Sequence, residues 1–414
     1  VAAYQSVQHV VLVANYHEPV GIIERTLHSL AAQPNARQQL IVVLAMEERE
    51  ENCRQKAETL MKLFDGSFAH LIATYHPDDL PDEIVGKGPN LTYAARQVKT
   101  ELIDRLGLPV ENMTVSSSDV DSILYQGYFD ELSMRFVEDA RRHQTIWQPP
   151  QLLDNGIWST AASIRLMTYF ISATHVAELA NPWGMALPLS TYSMSFKLAC
   201  EIGYWDTRMI ADDVHMFLRC FFGLGGKMYL DPIFLPCTGN PIHADSLWQA
   251  WVNFYRQHMR HGWGAEDIGY VLQQWSKPTG APFIKILARF AKILHDPMIF
   301  SAGSLLIMVG TLLSLFVEGN PVITFPIISP EWTTVFQILN ALSVYSLIAI
   351  WLLERTRRSA GWASWRPWIL IKEAVLMVMF PFMLVLLIGM PVLHAHTKMA
   401  LGQQLTFHRT PKKA

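Results

Sequence analysis

Charge is what this sequence has least of. Asp, Glu, Lys and Arg make up 17% of its 414 residues, against about 25% in an average soluble domain. The deficit is local. Windows 297–317, 332–353 and 374–393, of 21, 22 and 20 residues, contain none of the four. Each is close to the roughly 20 residues that cross a bilayer as a helix. An ordinary soluble globule is thereby excluded, and the chain divides into a soluble part, 1–280, and a membrane region. Charge of one sign is also lacking: Lys+Arg 33 against Asp+Glu 36 leaves −3, so no basic field points to nucleic acid. Four cysteines, Cys53, Cys200, Cys220 and Cys237, form no CxxC pair. Their spacing supports neither a disulfide framework nor structural zinc, and it fits buried free thiols in a reducing compartment. The 15 histidines include no HExxH, which argues against a zinc hydrolase. No basic start followed by an apolar core marks a signal peptide. The chain opens at Val1 rather than Met, which leaves room for a trimmed product and a missing upstream membrane helix.

What is present alternates. Segments 9–14 (HVVLVA) and 40–45 (LIVVLA) are β-branched apolar runs, the pattern of buried parallel strands. Between them Ile22, Ile23, Thr26, Leu27 and Leu30 recur with a helical period, giving a βαβ unit. A second helix is predicted over 50–64, a third strand over 70–74, a helix over 91–106 and a further strand over 112–116. This alternation predicts an open α/β sheet with ligands at the carboxyl ends of its strands. After 145 the pattern turns irregular, with helices over 161–179 and 251–263, as in a subdomain that receives an acceptor. The nucleotide half is then 1–122 and the acceptor half 123–280. Segment 281–296 sets Phe283, Ile284, Ile286, Leu287, Phe290, Ile293 and Leu294 against Lys285, Arg289 and Lys292, a basic amphipathic helix of interfacial type.

Two acidic pairs carry chemistry. Asp119 and Asp121 follow a predicted strand directly, and two carboxylates at i and i+2 can share a hard divalent cation that bridges phosphates. Asp212 and Asp213 open an apolar helix; a helix cap explains one of them and leaves the other for a cleft. Eight tryptophans fall in the acceptor half, where an indole can stack on a sugar face or serve the core. Trp158, in an irregular loop, and Trp263, beside Arg260, are the functional candidates.

Read in chain order, these segments resemble a membrane-embedded family 2 glycosyltransferase, similar in layout to cellulose, hyaluronan and poly-N-acetylglucosamine synthases and to ceramide glucosyltransferase. VLVANYHEP resembles the family's first strand and its Asn-Glu turn, and GKGPNLTYAAR its Gly-Lys segment. SSSDVDS is similar to its metal motif, and IADDVHMFLR to the Glu-Asp motif that holds the catalytic base. Gln257-His258-Met259-Arg260-His261 resembles Gln-x-x-Arg-Trp, and TFHRTPKK the terminal Phe-x-Val-Thr-x-Lys segment. Departures are clear: His17 stands where the family has Asn, Asp212 where it has Glu, His261 where it has Trp, and Arg409 where it has Val. The resemblance implies a GT-A-like open mixed sheet with flanking helices, followed by an interfacial helix and about three transmembrane helices. It implies Asp213, with Asp212 beside it, as catalytic. Asn15, His17, Glu18, Glu47, Lys87 and Asp119 would bind the nucleotide sugar, and Asp119 and Asp121 Mn2+ or Mg2+. Gln257, Arg260, His261, Trp263 and Trp158 would meet the acceptor or the diphosphate.

The implied activity is an inverting transfer from a nucleotide sugar, a UDP-sugar first, to a lipid or glycan acceptor, with membrane lipids as surroundings and no nucleic acid. A non-catalytic scaffold of a polysaccharide synthase complex is the alternative; the intact Asp119, Asp121 and Asp213 argue against it. A nucleotidyltransferase lacks a glycine-rich phosphate loop near the first strand. Basic residues Arg355, Arg357, Arg358, Arg366 and Lys372 between the second and third windows, and none in the loop 318–331, predict a multi-pass protein with a cytosolic catalytic domain, in the inner membrane if the source is bacterial. The membrane region is 297–394 and the basic tail 395–414. Pro381 and Pro391 lie in the third window, so that segment is expected to break, re-enter or lie partly in the interface. Three full spans would carry Lys398, Arg409, Lys412 and Lys413 outside, against the charge rule.

Overall fold

The computed structural model describes residues 2–303, 305, 330–356 and 366–403. Its strands are β1 (Gln8–Ala14), β2 (Leu40–Glu47), β3 (His70–His76), β4 (Met113–Asp119), β5 (Ile123–Leu124), β6 (Thr145–Gln148), β7 (Gln151–Leu152), β8 (Tyr192–Ser195), β9 (Tyr229–Pro232) and β10 (Cys237–Thr238). Seven form one sheet in the order β3-β2-β1-β4-β8-β6-β9, and three form a small one, β5-β10-β7. The first four of the large sheet run parallel, and β8 runs antiparallel to both β4 and β6. The sheet is mixed, as expected.

Alternation along β1 explains why both faces are covered. Val10 and Leu12 enter one core with Leu91, Ala95 and Phe217. Val11 and Val13 enter the other with Ile23, Leu27 and Phe136. Side chains of a strand alternate faces, so apolar residues at every position require helices on both sides. From β1 the chain first builds outward to β2 and β3, then returns to lay β4 on the opposite side. That reversal leaves a crevice at the carboxyl ends of β1 and β4. Register puts Ala14 opposite both Ala45 and Asp119, so Asn15, Glu47 and Asp119 share this edge.

Two boundaries differ from the sequence reading and matter to the site. The helix expected over 91–106 begins earlier, as Lys87–Val98, and continues as a π-helical segment, Lys99–Arg105. Lys87 thus becomes a first-turn residue. The strand expected over 112–116 runs on to Asp119, whose carboxylate is fixed by the sheet rather than by a turn.

The carboxyl-terminal region departs further. Of the three expected spans, one helix among the described residues is long and apolar enough to cross a membrane: Pro367–Ala400, 34 residues with a mean hydropathy of 2.6 in its best window. Most of window 297–317, the loop 318–329, Arg357, Arg358 and the tail with Arg409, Lys412 and Lys413 lie outside the described residues. Window 332–353 lies within the helix Pro330–Thr356. Pro381 and Pro391 do not break Pro367–Ala400. A π-helical turn, Val385–Gly389, lies between them and absorbs the misfit that a missing N–H creates. Phe380, Met383, Leu387 and Ile388 of this helix pack against Ile164, Met167, Ala250 and Phe254.

The amphipathic helix is present as Phe283–Met298, but its basic residues face the domain. Lys285 donates to the Gly226 carbonyl at 3.0 Å, and Arg289 to that of Met185 at 3.3 Å. Lys292 pairs with Glu178 and Asp296. Long basic stems bury readily where their heads find such acceptors. Phe283, Ile284 and Leu287 are left exposed.

Candidate active site

Asp119, at the end of β4, is the centre of a compact polar group. Its Oδ1 accepts from Lys87 Nζ at 2.7 Å, and its Oδ2 from the Ser190 hydroxyl. Lys87 Nζ also donates to the Ser190 carbonyl at 2.8 Å and lies 3.9 Å from Asp213 Oδ1. The Ser190 N–H donates to Asp213 Oδ2 at 2.7 Å. Ser190 has φ 60, a left-handed conformation that L residues rarely adopt, and it serves two carboxylates and the ammonium together. Gly88 lets this assembly close. A Cβ there would stand 3.0 Å from the Asp206 carbonyl oxygen and 3.4 Å from Asp212 Cβ, so only glycine brings Lys87 this near the acidic pair.

The second pair does not divide as expected. The cap position of the helix Asp212–Gly223 is Ala211, and no side chain caps it. Asp212 is already helical, one residue too late to accept from the first-turn N–H groups. Both acids therefore belong to the crevice. Asp212 Oδ2 and Asp213 Oδ1 are buried without a hydrogen-bond partner. Burial, then the neighbouring Asp212, pushes the Asp213 carboxyl well above the usual range, against Lys87 and the Ser190 N–H. Burial also raises Asp212, with Asp119 adding and Lys87 opposing. For Lys87, burial works against the charge, but Asp119, Asp213 and Asp212 outweigh it and raise the ammonium. Burial lowers the Arg260 guanidinium while Asp119, Asp212 and Asp213 pull it back. Three carboxylates thus converge on one ammonium and one guanidinium. This excess of negative charge, together with an all-oxygen donor set, fits a hard divalent cation. Among the described residues no group of three or more His, Cys, Asp or Glu could hold a metal by itself, so water or phosphate oxygens would complete its shell.

The other candidates fall around this centre. Asp121 is buried, and its Oδ2 accepts from the Asn240 N–H at 3.0 Å. Asn15 is buried after β1; with its amide nitrogen towards Glu18 Oε2 and its oxygen towards Lys56 Nζ, both contacts are 3.2 Å. His17, at φ 61, donates its N–H to Glu50 Oε2 at 2.7 Å, and Glu50 pairs with Lys56. Glu47 is buried between Arg49 at 2.8 Å and His76 at 3.1 Å, and His76 reaches Glu83 at 2.8 Å. Gln257 is half-buried and His261 exposed on the helix that carries Arg260. Trp263 is buried and donates its indole N–H to Glu266. Trp158 has its ring 5.6 Å from the Arg165 guanidinium.

Sequence reasoning missed Ser190, Glu50, Lys56 and His76. Ser190 lies in an irregular stretch where one serine carries no signal. Glu50 was legible only as one of several acids after β2.

No protein-family profile and no curated protein sequence matches the chain. Among solved structures it is similar to the mannosyltransferase PcManGT from Pyrobaculum calidifontis in complex with GDP-Man and Mn2+. That likeness has 13% identity and a TM-score of 0.51, over 96% of this chain and 88% of that one. It also overlaps S. aureus TarS 1-349, alone and in complex with UDP-GlcNAc, at 12% identity and TM-scores of 0.44 and 0.45. Those overlaps cover 73% of this chain and 74% and 76% of theirs. At such identity the first likeness shows a shared fold: the chain has the GT-A-like mixed sheet with flanking helices found in that glycosyltransferase.

Proposed function

We propose that this chain is an inverting, metal-dependent glycosyltransferase of the family 2 kind, which moves a sugar from a nucleoside-diphosphate donor to a lipid or polysaccharide acceptor at a membrane. One observation carries the reading: Lys87 meets Asp119 and Asp213 at the carboxyl edge of β1 and β4, with Asp212 against Gly88 and Arg260 within electrostatic reach of all three acids. A diphosphate needs cations, and an attacking hydroxyl needs a base. The crevice offers both. Asp213 Oδ1 has no hydrogen-bond partner, and its raised pKa makes it a stronger base than an ordinary carboxylate once ionised.

In the proposed reaction the acceptor oxygen bonds to the anomeric carbon from the face opposite the diphosphate, and its proton passes to Asp213. The anomeric carbon–oxygen bond breaks, and its electron pair leaves with the nucleoside diphosphate. Lys87 and Arg260 stabilise that leaving charge, Arg260 with a fork suited to phosphate. A divalent cation held by Asp119 and Asp121 would neutralise the diphosphate further. To bind it, Asp119 must give up or share its Lys87 contact. The donor reading is supported by the fold likeness to an enzyme whose structure holds GDP-Man and Mn2+; GDP- and UDP-sugars are the donors to test.

The membrane reading rests on exposed apolar faces. On Pro367–Ala400, Ile371, Val375, Val378, Phe382 and Leu386 are exposed at helical spacing, Val378 at 71%. A face this apolar needs a non-aqueous partner. In this reading the protein is multi-pass and its catalytic domain cytosolic.

The test is nucleoside diphosphate release by the full chain in detergent, with GDP-mannose, UDP-glucose and UDP-GlcNAc, each with Mn2+ or Mg2+. Release from one donor, lost in Asp213→Asn, is the expected result. No release and no binding of GDP or UDP would overturn the reading. Product size, on gels and thin-layer plates, separates polymer from glycolipid.

A further inference from the structure

Behind the acidic pair lies a buried group that the transfer chemistry does not use. His215 sits on the first turn of the helix Asp212–Gly223, three residues after Asp212, and is 1% exposed. Its Nδ1 meets Asp267 Oδ1 at 2.6 Å, and Asp267 is fully buried. Its Nε2 makes no hydrogen bond but faces Asp206 Oδ2 at 3.6 Å. The Tyr270 ring closes the group at 4.5 Å.

The three partners come from parts that must stay in register for catalysis. Asp206 belongs to the loop that leads into Asp212. That loop rests on the Lys87 segment: Gly88 abuts the Asp206 carbonyl, and Thr207 accepts from the Ile84 N–H at 2.9 Å. Asp267 is the second residue of the helix Glu266–Trp275, which follows the helix bearing Arg260 through one short turn, Trp263–Ala265. A buried ion pair is weak evidence for stability, because apolar residues of similar volume serve packing as well or better. A directional contact here does something apolar packing cannot: it sets the start of one helix against another. Asp213 itself is held by the Ser190 N–H and the distant Lys87, so its aim depends on where that start lies.

We propose that His215 is a positioning residue: held by Asp267 and facing Asp206, it locks the start of the Asp213-bearing helix to the segments that carry Lys87 and Arg260. The proposal rests on the transferase reading above. It separates His215 from the reacting atoms, so donor binding should survive its loss while turnover should not.

The experiment uses the full chain in detergent, Mn2+, and GDP-mannose or UDP-GlcNAc, whichever the wild type hydrolyses. It measures kcat, and the Kd of the matching nucleoside diphosphate, for His215→Leu, His215→Asn, Asp267→Asn and Asp213→Asn. A misplacement near 1 Å costs up to about 100-fold. His215→Leu is therefore expected to lower kcat by about 10- to 100-fold with Kd changed less than about twofold. His215→Asn should recover most of the rate, because its amide can donate to Asp267 from near the Nδ1 position. Unchanged kcat in His215→Leu overturns the proposal, as does an equal loss in His215→Asn. If His215→Leu does not fold, Asp267→Asn decides in the same way: lowered kcat at constant Kd supports it, and unchanged kcat overturns it. Asp213→Asn separates the two levels. A dead Asp213→Asn with a normal His215→Leu rejects the positioning role alone, and a fully active Asp213→Asn rejects the transferase reading and this inference with it.

Discussion

Asp212 and Asp213 are adjacent and both part of the crevice, yet only Asp213 presents an unpartnered oxygen within reach of Lys87 while its other oxygen is tied down. Asp213→Asn should therefore cut kcat by about 100-fold or more, the usual scale of general-base catalysis, with the diphosphate Kd unchanged. Asp212→Asn removes a carboxylate that raises Asp213. It should shift the acidic limb of the kcat/KM profile to lower pH, a change that initial rates across pH would reveal. Stability has its own titrating residue. His9, buried in β1 between Thr114 at 2.7 Å and Ser133 at 2.8 Å, has its pKa lowered by burial to about 3. His175 and His258 are lowered by burial to about 4. A histidine depressed in the folded state stabilises it fully above the unfolded value and loses that contribution as pH falls towards the folded one. Thermal melts should thus fall steadily below about pH 6.5, each site adding up to about 1.4 kcal/mol per pH unit. His9→Asn should flatten the slope, and an unchanged slope would remove His9 from the account.

Among elements, the helix Leu247–Gly262 joins the crevice to the carboxyl-terminal helix. It carries Arg260 towards the acids and packs Ala250 and Phe254 against Phe380 and Leu387. Its last residue, Gly262, is a point of close approach: a Cβ would meet Val392 Cα at 3.0 Å and Ala395 Cβ at 3.1 Å. Gly262→Val should cost about 1–3 kcal/mol by overpacking, read as a lower melting temperature and earlier proteolysis of the carboxyl-terminal helix. If the variant melts like wild type, this contact does not hold the two elements together. Most elements are legible from periodicity. The βαβ start, the helix Val20–Ala31 and the position of Phe283–Met298 follow from apolar spacing alone. Orientation does not follow. Lys285, Arg289 and Lys292 form a basic stripe in sequence, and only the positions of Gly226, Met185 and Glu178 turn that stripe inward.

At the scale of the molecule, the crevice and the apolar faces make independent predictions. EDTA should abolish turnover, and Mn2+ should restore it; Asp121→Asn should stay inactive with metal added, because it removes a ligand charge at nearly constant size. Full activity in EDTA would sink the metal assignment. The full chain should resist extraction from membranes by carbonate and high salt, since a hydrocarbon-facing surface is not released by screening charge. Release by either treatment would rule out an integral protein. Pro367–Ala400, at about 1.5 Å per residue, is about 51 Å long, against a hydrocarbon core of about 30 Å. In the proposed membrane reading the surplus lies on the protein: its last segment, Met390–Ala400, lies against the Arg260 helix.

Sequence by itself determined what depends on local pattern: the parallel strands, the helices between them, an acidic residue at the end of β4, and uncharged windows of membrane length. These are set by side-chain period and by transfer free energy, which a chain carries residue by residue. Tertiary structure alone decided which groups meet. Ser190 enters the site because a left-handed turn brings its N–H to Asp213 and its hydroxyl to Asp119 across a long stretch of chain. Glu47 turns to Arg49 and His76, while Glu50 and Lys56 hold the loop after β1. Asp212 loses its cap role to a one-residue shift in where its helix begins. Hydrogen bonds and ion pairs are short-ranged and directional, so their partners are fixed only when the packed sheet and helices have brought distant backbone to within a few ångströms.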